Sequence, residues 1–232
     1  MIAALAAAAL VAAAATPSPA ATAPALLRPA AVVADYELAL AQMNEPRVFA
    51  VEYTMQQTGT RALDQTHRIF RSGKDERDET IAVNGSRPKY PVVRIFRGRP
   101  YRYTVAALAP KPSAYDFVYA GPHRDGKHVD YVFNVFPKRP QPLEFTQVVI
   151  DGVTFLPQSV SFATAKHAGR GSVTFAKAEK YWVARTAAAQ ADLAGGVARE
   201  RIAFSKWRFP ASLPRSTFAV PRPLPTPPPA LP

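Results

Sequence analysis

The chain of 232 residues carries 29 Lys and Arg against 17 Asp and Glu, a formal charge of +12, and is 48% apolar. That composition suits a packed globular chain of one or two domains rather than full-length disorder. The absence of cysteine excludes disulfides, thiolate metal sites and a cysteine nucleophile, and the positive balance favours an anionic partner or surface.

In chain order, the first fifteen residues, MIAALAAAALVAAAA, are an uncharged apolar run followed by TPSPAATAP, whose small residues offer A-x-A-like processing sites. Residues 1–23 are expected to be a signal peptide, because such a run is too short to cross about 30 Å of hydrocarbon as a helix. Residues 24–220 are expected to form a single domain. From Ala30 to Met43, the spacing of Val32, Val33, Tyr36, Leu40 and Met43 predicts one amphipathic helix, ended by Asn44 and Pro46.

Beyond it the period changes from about four to two. Phe49, Val51, Tyr53 and Met55 alternate with polar neighbours in Val48 to Gln57, as in a strand with one buried face. Leu63 to Ser72 returns after a turn at Gly59, and a polar strand follows to Val83. Asn84-Gly85 is the strongest hairpin signal. Further strands are predicted over Val92 to Arg97, Tyr101 to Val105, His128 to Phe136, Phe145 to Ile150, Gln158 to Thr164, Gly171 to Lys177, Tyr181 to Ala189 and Val197 to Trp207. Ala106 to Gly121, interrupted by Pro110 and Pro112, reads as a loop or short helix carrying an aromatic cluster. The last twelve residues, PRPLPTPPPALP, hold seven prolines and predict an extended, disordered tail over 221–232.

The fold class expected from this pattern is mainly β: a strongly curved antiparallel meander of about ten or eleven strands, an incomplete barrel, with the N-terminal helix covering its concave face. Strand parity puts Phe49, Val51, Tyr53, Met55, Val129, Tyr131, Phe133, Val160, Phe162, Phe175, Ile202 and Phe204 on the inner side. There they either line an apolar cavity for an acyl chain or simply fill a core. Arg94, Arg97, Arg99 and Arg102, interleaved with Phe96, Tyr101 and Tyr103, are expected to meet lipid headgroups or a membrane surface, or to protect an edge strand.

Catalytic chemistry finds little footing. His67, His123, His128 and His167 match no metal-ligand spacing, even with Asp116 or Asp130 nearby, and read as solvated turn residues. The run Asp75, Glu76, Asp78, Glu79 is interrupted by Arg77 and reads as a solvated strand edge with local ion pairs. No nucleophile elbow, phosphate loop or zinc helix motif is present. No cofactor, no metal and no enzymatic activity are expected.

The element order, together with FTQVVIDGVTFLPQSVSFATAKHAGRGSVTF and the final RIAFSKWRFPASLPRSTF, resembles the LolA-like outer-membrane lipoprotein carriers and lipoprotein-sorting proteins. That resemblance implies an unclosed β-barrel with a helical lid, binding acyl chains of a lipid or lipoprotein while they cross the cell envelope. It implies an exported, periplasmic, monomeric protein that is soluble once its leader is removed. Related half-barrels bind regulators, so the alternative is a non-enzymatic envelope sensor or scaffold with an envelope protein as partner. Nucleic acid is not expected as a partner. The Arg-Pro-x-x-Phe-Arg segment associated with the carriers is absent, Thr66-His67-Arg68-Ile69-Phe70-Arg71 standing in its neighbourhood without matching it.

Overall fold

A computed structural model of the chain describes residues 26–90, 92–98, 104–126, 128–164 and 168–219. The expected leader and proline-rich tail lie outside the described residues, as do Tyr101–Tyr103 of one predicted strand.

A helix, α1 (Pro29–Gln42), begins with proline at its first turn, where the missing N–H costs nothing. Eleven strands follow, interrupted by a single helical turn. They are β1 (Val48–Thr58), β2 (Leu63–Ser72), β3 (Asp75–Val83), β4 (Val92–Phe96), α2 (Val105–Leu108), β5 (Tyr115–Asp125), β6 (His128–Pro137), β7 (Leu143–Asp151), β8 (Pro157–Thr164), β9 (Gly169–Ala178), β10 (Tyr181–Leu193) and β11 (Gly196–Arg208). All belong to one curved antiparallel sheet, ordered β4-β3-β2-β1-β11-β10-β9-β8-β7-β6-β5 and not closed into a barrel. Two consecutive runs are thus joined where β1 pairs β11, and β4 and β5 occupy opposite edges.

Turn chemistry fixes several of these connections. Asn84 and Gly85 both take positive φ, at 48° and 75°, and Val83 bridges Ser86 across them. Gly59 sits at φ 99°, and a Cβ there would stand 1.9 Å from the Val197 carbonyl oxygen, so only glycine lets β1 turn this close to β11.

The described part of the crossover from β4 to β5, residues 104–114, lies on a face of the sheet together with α1. Val32 and Tyr36 of α1 and Val105 and Ala109 of the crossover are buried in one cluster with Tyr115, Tyr131, Phe133, Val135, Val148, Ile150, Val160, Val173 and Phe175. Tyr36 packs its ring on Phe117 at 5.7 Å and donates its hydroxyl to the Pro110 carbonyl at 2.8 Å. Burial pushes that phenol far above the ordinary tyrosine range, so it stays a donor. The helix therefore covers the sheet as its apolar spacing predicts.

The region expected to be loop up to Gly121 is instead strand from Tyr115 onward. Its inward residues Tyr115, Phe117 and Tyr119 alternate correctly, but Val118, 52% exposed, breaks the apolar-polar contrast on the outer side. At the other end of the predicted strand before it, Thr104 forms only an isolated bridge with Val183, and Val105 opens α2.

A second cluster gathers Phe49, Val51, Tyr53 and Ile69 on β1 and β2, with Phe204 packing on both clusters. Beside it the inner face is polar. Arg71 and Glu76, 0% and 1% exposed, form an ion pair of 2.7 Å across the β2–β3 hairpin. Each acid of the β3 run thus has a partner, ion pairs to Arg97, Arg71 and Arg77 and a hydrogen-bond contact to His67, but the run is no solvated edge, because β4 pairs along its far side and Glu76 is enclosed.

Two stability outcomes follow from these contacts. Truncating either member of the buried pair, Arg71→Ala or Glu76→Ala, is expected to cost about 3–5 kcal/mol in urea unfolding. The paired apolar replacement Arg71→Met with Glu76→Leu should recover most of that loss. Tyr36→Phe, which deletes only the hydroxyl, should cost about 1 kcal/mol.

Candidate functional site: the inner face and its open trough

Strand registers show which side chains share a surface. Cross-strand partners run Met55–Ile202–Ala187–Val173–Val160–Val148–Phe133, and a second row runs Gln57–Glu200–Ala189–Gly171–Phe162. All twelve residues proposed from parity lie on this inner face. They divide into two kinds. Phe49, Val51, Tyr53, Val129, Tyr131, Phe133, Val160 and Phe175 are buried, held against other side chains of the two clusters. Met55, Phe162, Ile202 and Phe204 are only half-buried.

The difference follows from what α1 covers. Beneath α1 and the crossover the face is filled by protein. Toward the far ends of β8 to β11 no described helix covers it, and a trough of about 350 Å³ opens there, bordered by Phe162, Ala189, Ala191, Leu193 and Ala198, with Gln57, Thr164, Arg170, Gln190, Arg199 and Glu200 as its polar residues. Its size lies at the lower end of the usual range for small-molecule pockets.

Small residues make this space. Gly171 has no room for a Cβ, which would meet the Phe162 ring at 2.5 Å and the Ala188 carbonyl oxygen at 2.4 Å. The phenylalanine ring therefore lies directly over the glycine, and β10 opposite presents Ala187, Ala189 and Ala191. These alanines and Gly171 are the site residues that large-apolar parity overlooks. Their signal was the alternation in ARTAAAQADL, where every inward position after Thr186 is alanine until Leu193.

The cationic set on β4 resolves differently. Arg97 pairs with Asp75 at 2.6 Å and donates to the Phe218 carbonyl at 2.8 Å, tying a 3-10 turn, Arg215–Phe218, to the sheet. Arg94 is exposed and stands opposite Asp78, while Arg99 and Arg102 lie outside the described residues.

Among the histidines, His67 is no solvated turn residue. It is buried on β2, stacked on Tyr53 with ring centroids 4.7 Å apart, and bonded to Asp78 at 2.8 Å. The alternation of β2 brings it inward, in register with Tyr53. His123 is exposed on β5, and His167 lies outside the described residues.

His128 joins the other titratable cluster. Its Nε2 lies 2.8 Å from Asp130 and 3.1 Å from Asp151, two buried carboxylates facing each other across β6 and β7. The donor atoms of the three residues lie within 4.8 Å of one another, close enough for a shared cation. Gln158 already directs its amide nitrogen to both carboxylates, at 2.9 and 3.3 Å, and Asp151 Oδ1 accepts from Thr154 and Val153. The cluster is thus satisfied as a clamp across β6, β7 and β8. Burial pushes the Asp151 carboxyl up, but hydrogen bonds from the Thr154 backbone and hydroxyl, Gln158 and the Val153 backbone outweigh it and hold the group below the ordinary carboxylate range.

No family model and no curated protein matches the chain. Among solved structures it is similar to a LolA superfamily protein from Nitrosomonas europaea, with 10% identity, a TM-score of 0.47, and coverage of 84% of this chain and 99% of that one. A DUF1329 family protein from Desulfovibrio piger aligns with 14% identity, a TM-score of 0.47, and coverage of 81% and 97%. A domain assigned to outer membrane lipoprotein sorting, from Vibrio parahaemolyticus, aligns with 17% identity, a TM-score of 0.48, and coverage of 80% and 95%. No helix among the described residues is long and apolar enough to cross a membrane.

Because the folded pKa of Asp151 lies below its unfolded value of about 3.9, its contribution to stability is complete above that value and is lost as pH falls through the folded pKa. Stability measured from pH 6 downward should therefore fall less steeply in Asp151→Asn than in the parent, with the two curves converging at the acid end.

Proposed function

We propose that this protein is an exported, non-enzymatic carrier that holds the acyl chain of a lipid or lipoprotein in the trough of its inner face. The observation that carries this reading is an apolar surface left uncovered. Met55, Phe162, Ile202 and Phe204 stay half-open to solvent on the same face whose other half is sealed by α1. Exposed apolar concavity is costly to keep in water and is relieved by a ligand, each buried methylene contributing about 0.8 kcal/mol. Phe162 lines the trough, Met55, Ile202 and Phe204 continue the apolar face beside it, and these four are the proposed contacts, with the eight buried residues supporting them from the core.

The leader-like residues 1–23 and the absence of cysteine suit passage across the envelope, with residues 24–220 as the half-barrel domain and 221–232 as its tail. The filled cluster beneath α1 favours a second reading, a scaffold that binds an envelope protein, since a packed interior needs no lipid. The trough separates the two.

Native mass spectrometry of protein purified without detergent, and titration with a fluorescent fatty acid, test the carrier. Ala189→Trp, which places an indole in the trough, should weaken fatty-acid binding at least tenfold while leaving the melting temperature within a few degrees. Unaltered binding in that variant, or no binding by the parent, would count against the trough as the acyl site.

A further inference from the structure

The outer surface of β9 to β11, at the rim of the trough, carries three arginines that form no ion pair. Arg170 and Arg199 both face Gln190 in one cross-strand row, and Arg201, two residues along β11, faces Ala188 of β10, which faces Ser172 of β9. Together they border a shallow hollow of about 340 Å³. All three arginines are exposed. Arg68, Arg71, Arg77 and Arg97, in contrast, each bind a carboxylate.

Every one of the 17 acidic residues lies in the described part of the chain, and none pairs with Arg170, Arg199 or Arg201. Two acids are near. Glu200 borders the hollow, its own register partners Gln57 and Ala189 belonging to the inner row, and Asp192 stands at the hairpin end.

The ladder of the β10–β11 hairpin runs on beyond the paired ends of its neighbours, although Thr60 of the β1–β2 turn packs beside Gly195 and Gly196 at its tip. The β1 pairing stops at Arg199 and the β9 pairing at Ala191, whereas β10 and β11 pair on to Leu193 and Gly196. Leu193, at the tip, is 55% exposed. An apolar tip flanked by unpaired guanidinium groups matches the layering of a bilayer surface, apolar within and phosphate-bearing without. Arginine suits that role because its planar fork binds phosphate oxygens two at a time.

We propose that Arg170, Arg199, Arg201 and Leu193 form a docking surface for an anionic phospholipid bilayer. Docking there brings the open end of the trough, which Leu193 also borders, to the membrane. This goes beyond the carrier reading, because vesicle binding reads the arginines whether or not the trough holds a chain.

The test is sedimentation of the full chain with vesicles of phosphatidylcholine alone and with 30% phosphatidylglycerol, at low and at physiological salt. Binding is expected only to the anionic vesicles, and it should weaken with salt. Three cations acting at about fivefold each predict a loss on the order of 100-fold for Arg170→Gln/Arg199→Gln/Arg201→Gln. The same charge removed at Lys74→Gln/Arg87→Gln/Lys89→Gln, all exposed, should cost less than threefold, and Leu193→Ser should lower binding with the arginines intact. Circular dichroism checks that each variant is folded. Equal losses in both triple variants would mean net charge and not this surface, overturning the proposal. So would a parent that ignores anionic vesicles, or one that binds only polyglutamate, which would make the partner an acidic polypeptide.

Discussion

A single layer of sheet cannot bury its own faces, and the rest of this molecule answers to that constraint. Among the described residues eleven strands give one wide layer with no second sheet behind it. Whatever is to be removed from water needs a cover, and α1 with the β4–β5 crossover supplies cover for only part of the inner side. Tyr36 marks where the cover is tight, its ring against Phe117 and its hydroxyl on Pro110. Beyond its reach, at the far ends of β8 to β11, the same apolar alternation continues with no described element laid over it. The filled half and the bare half are therefore one design read at two places, and the trough is what remains when the cover ends.

The sheet also shows how polar groups can stay on a buried face. Arg71 with Glu76 and His67 with Asp78 sit inward on β2 and β3, next to Ile69, without breaking the strand pattern. Arg71 and Glu76 match each other's charge across the hairpin and His67 meets Asp78 at hydrogen-bond distance, so desolvation is offset locally rather than by water. On the outer side, Glu52 is enclosed by Arg68 and Lys206, which hold its carboxyl below the ordinary range through hydrogen bonds from both. Arg170, Arg199 and Arg201 on β9 and β11 have no such match, and they stand out by lying together around one hollow.

Much of the fold was legible because alternation and turns are local. Phe49 to Met55, Val129 to Val135 and the Asn84-Gly85 turn each announce themselves within ten residues, and α1 matches its predicted span to within a residue at either end. Tyr115 to Tyr119 was harder, because an outward valine hides the period. The pairing of β1 with β11 was not legible at all, since nothing in either strand names its partner. The candidate site was half legible. Parity grouped twelve residues on the inner face, but which of them are covered depends on where α1 lands, and the alanines that hollow the trough carry little weight in an apolar pattern.

The union of the first and last strands has a consequence for how the chain comes to be folded. Tyr53 pairs with Phe204 and Met55 with Ile202, so β1 keeps one bare edge until about 150 further residues have been made. A chain emerging amino end first cannot complete its sheet during synthesis. Contacts so distant in sequence favour slow closure and prolong the interval in which an unpaired edge invites association with other chains. Gly59, the one residue that lets β1 turn against Val197, becomes a latch for that final step.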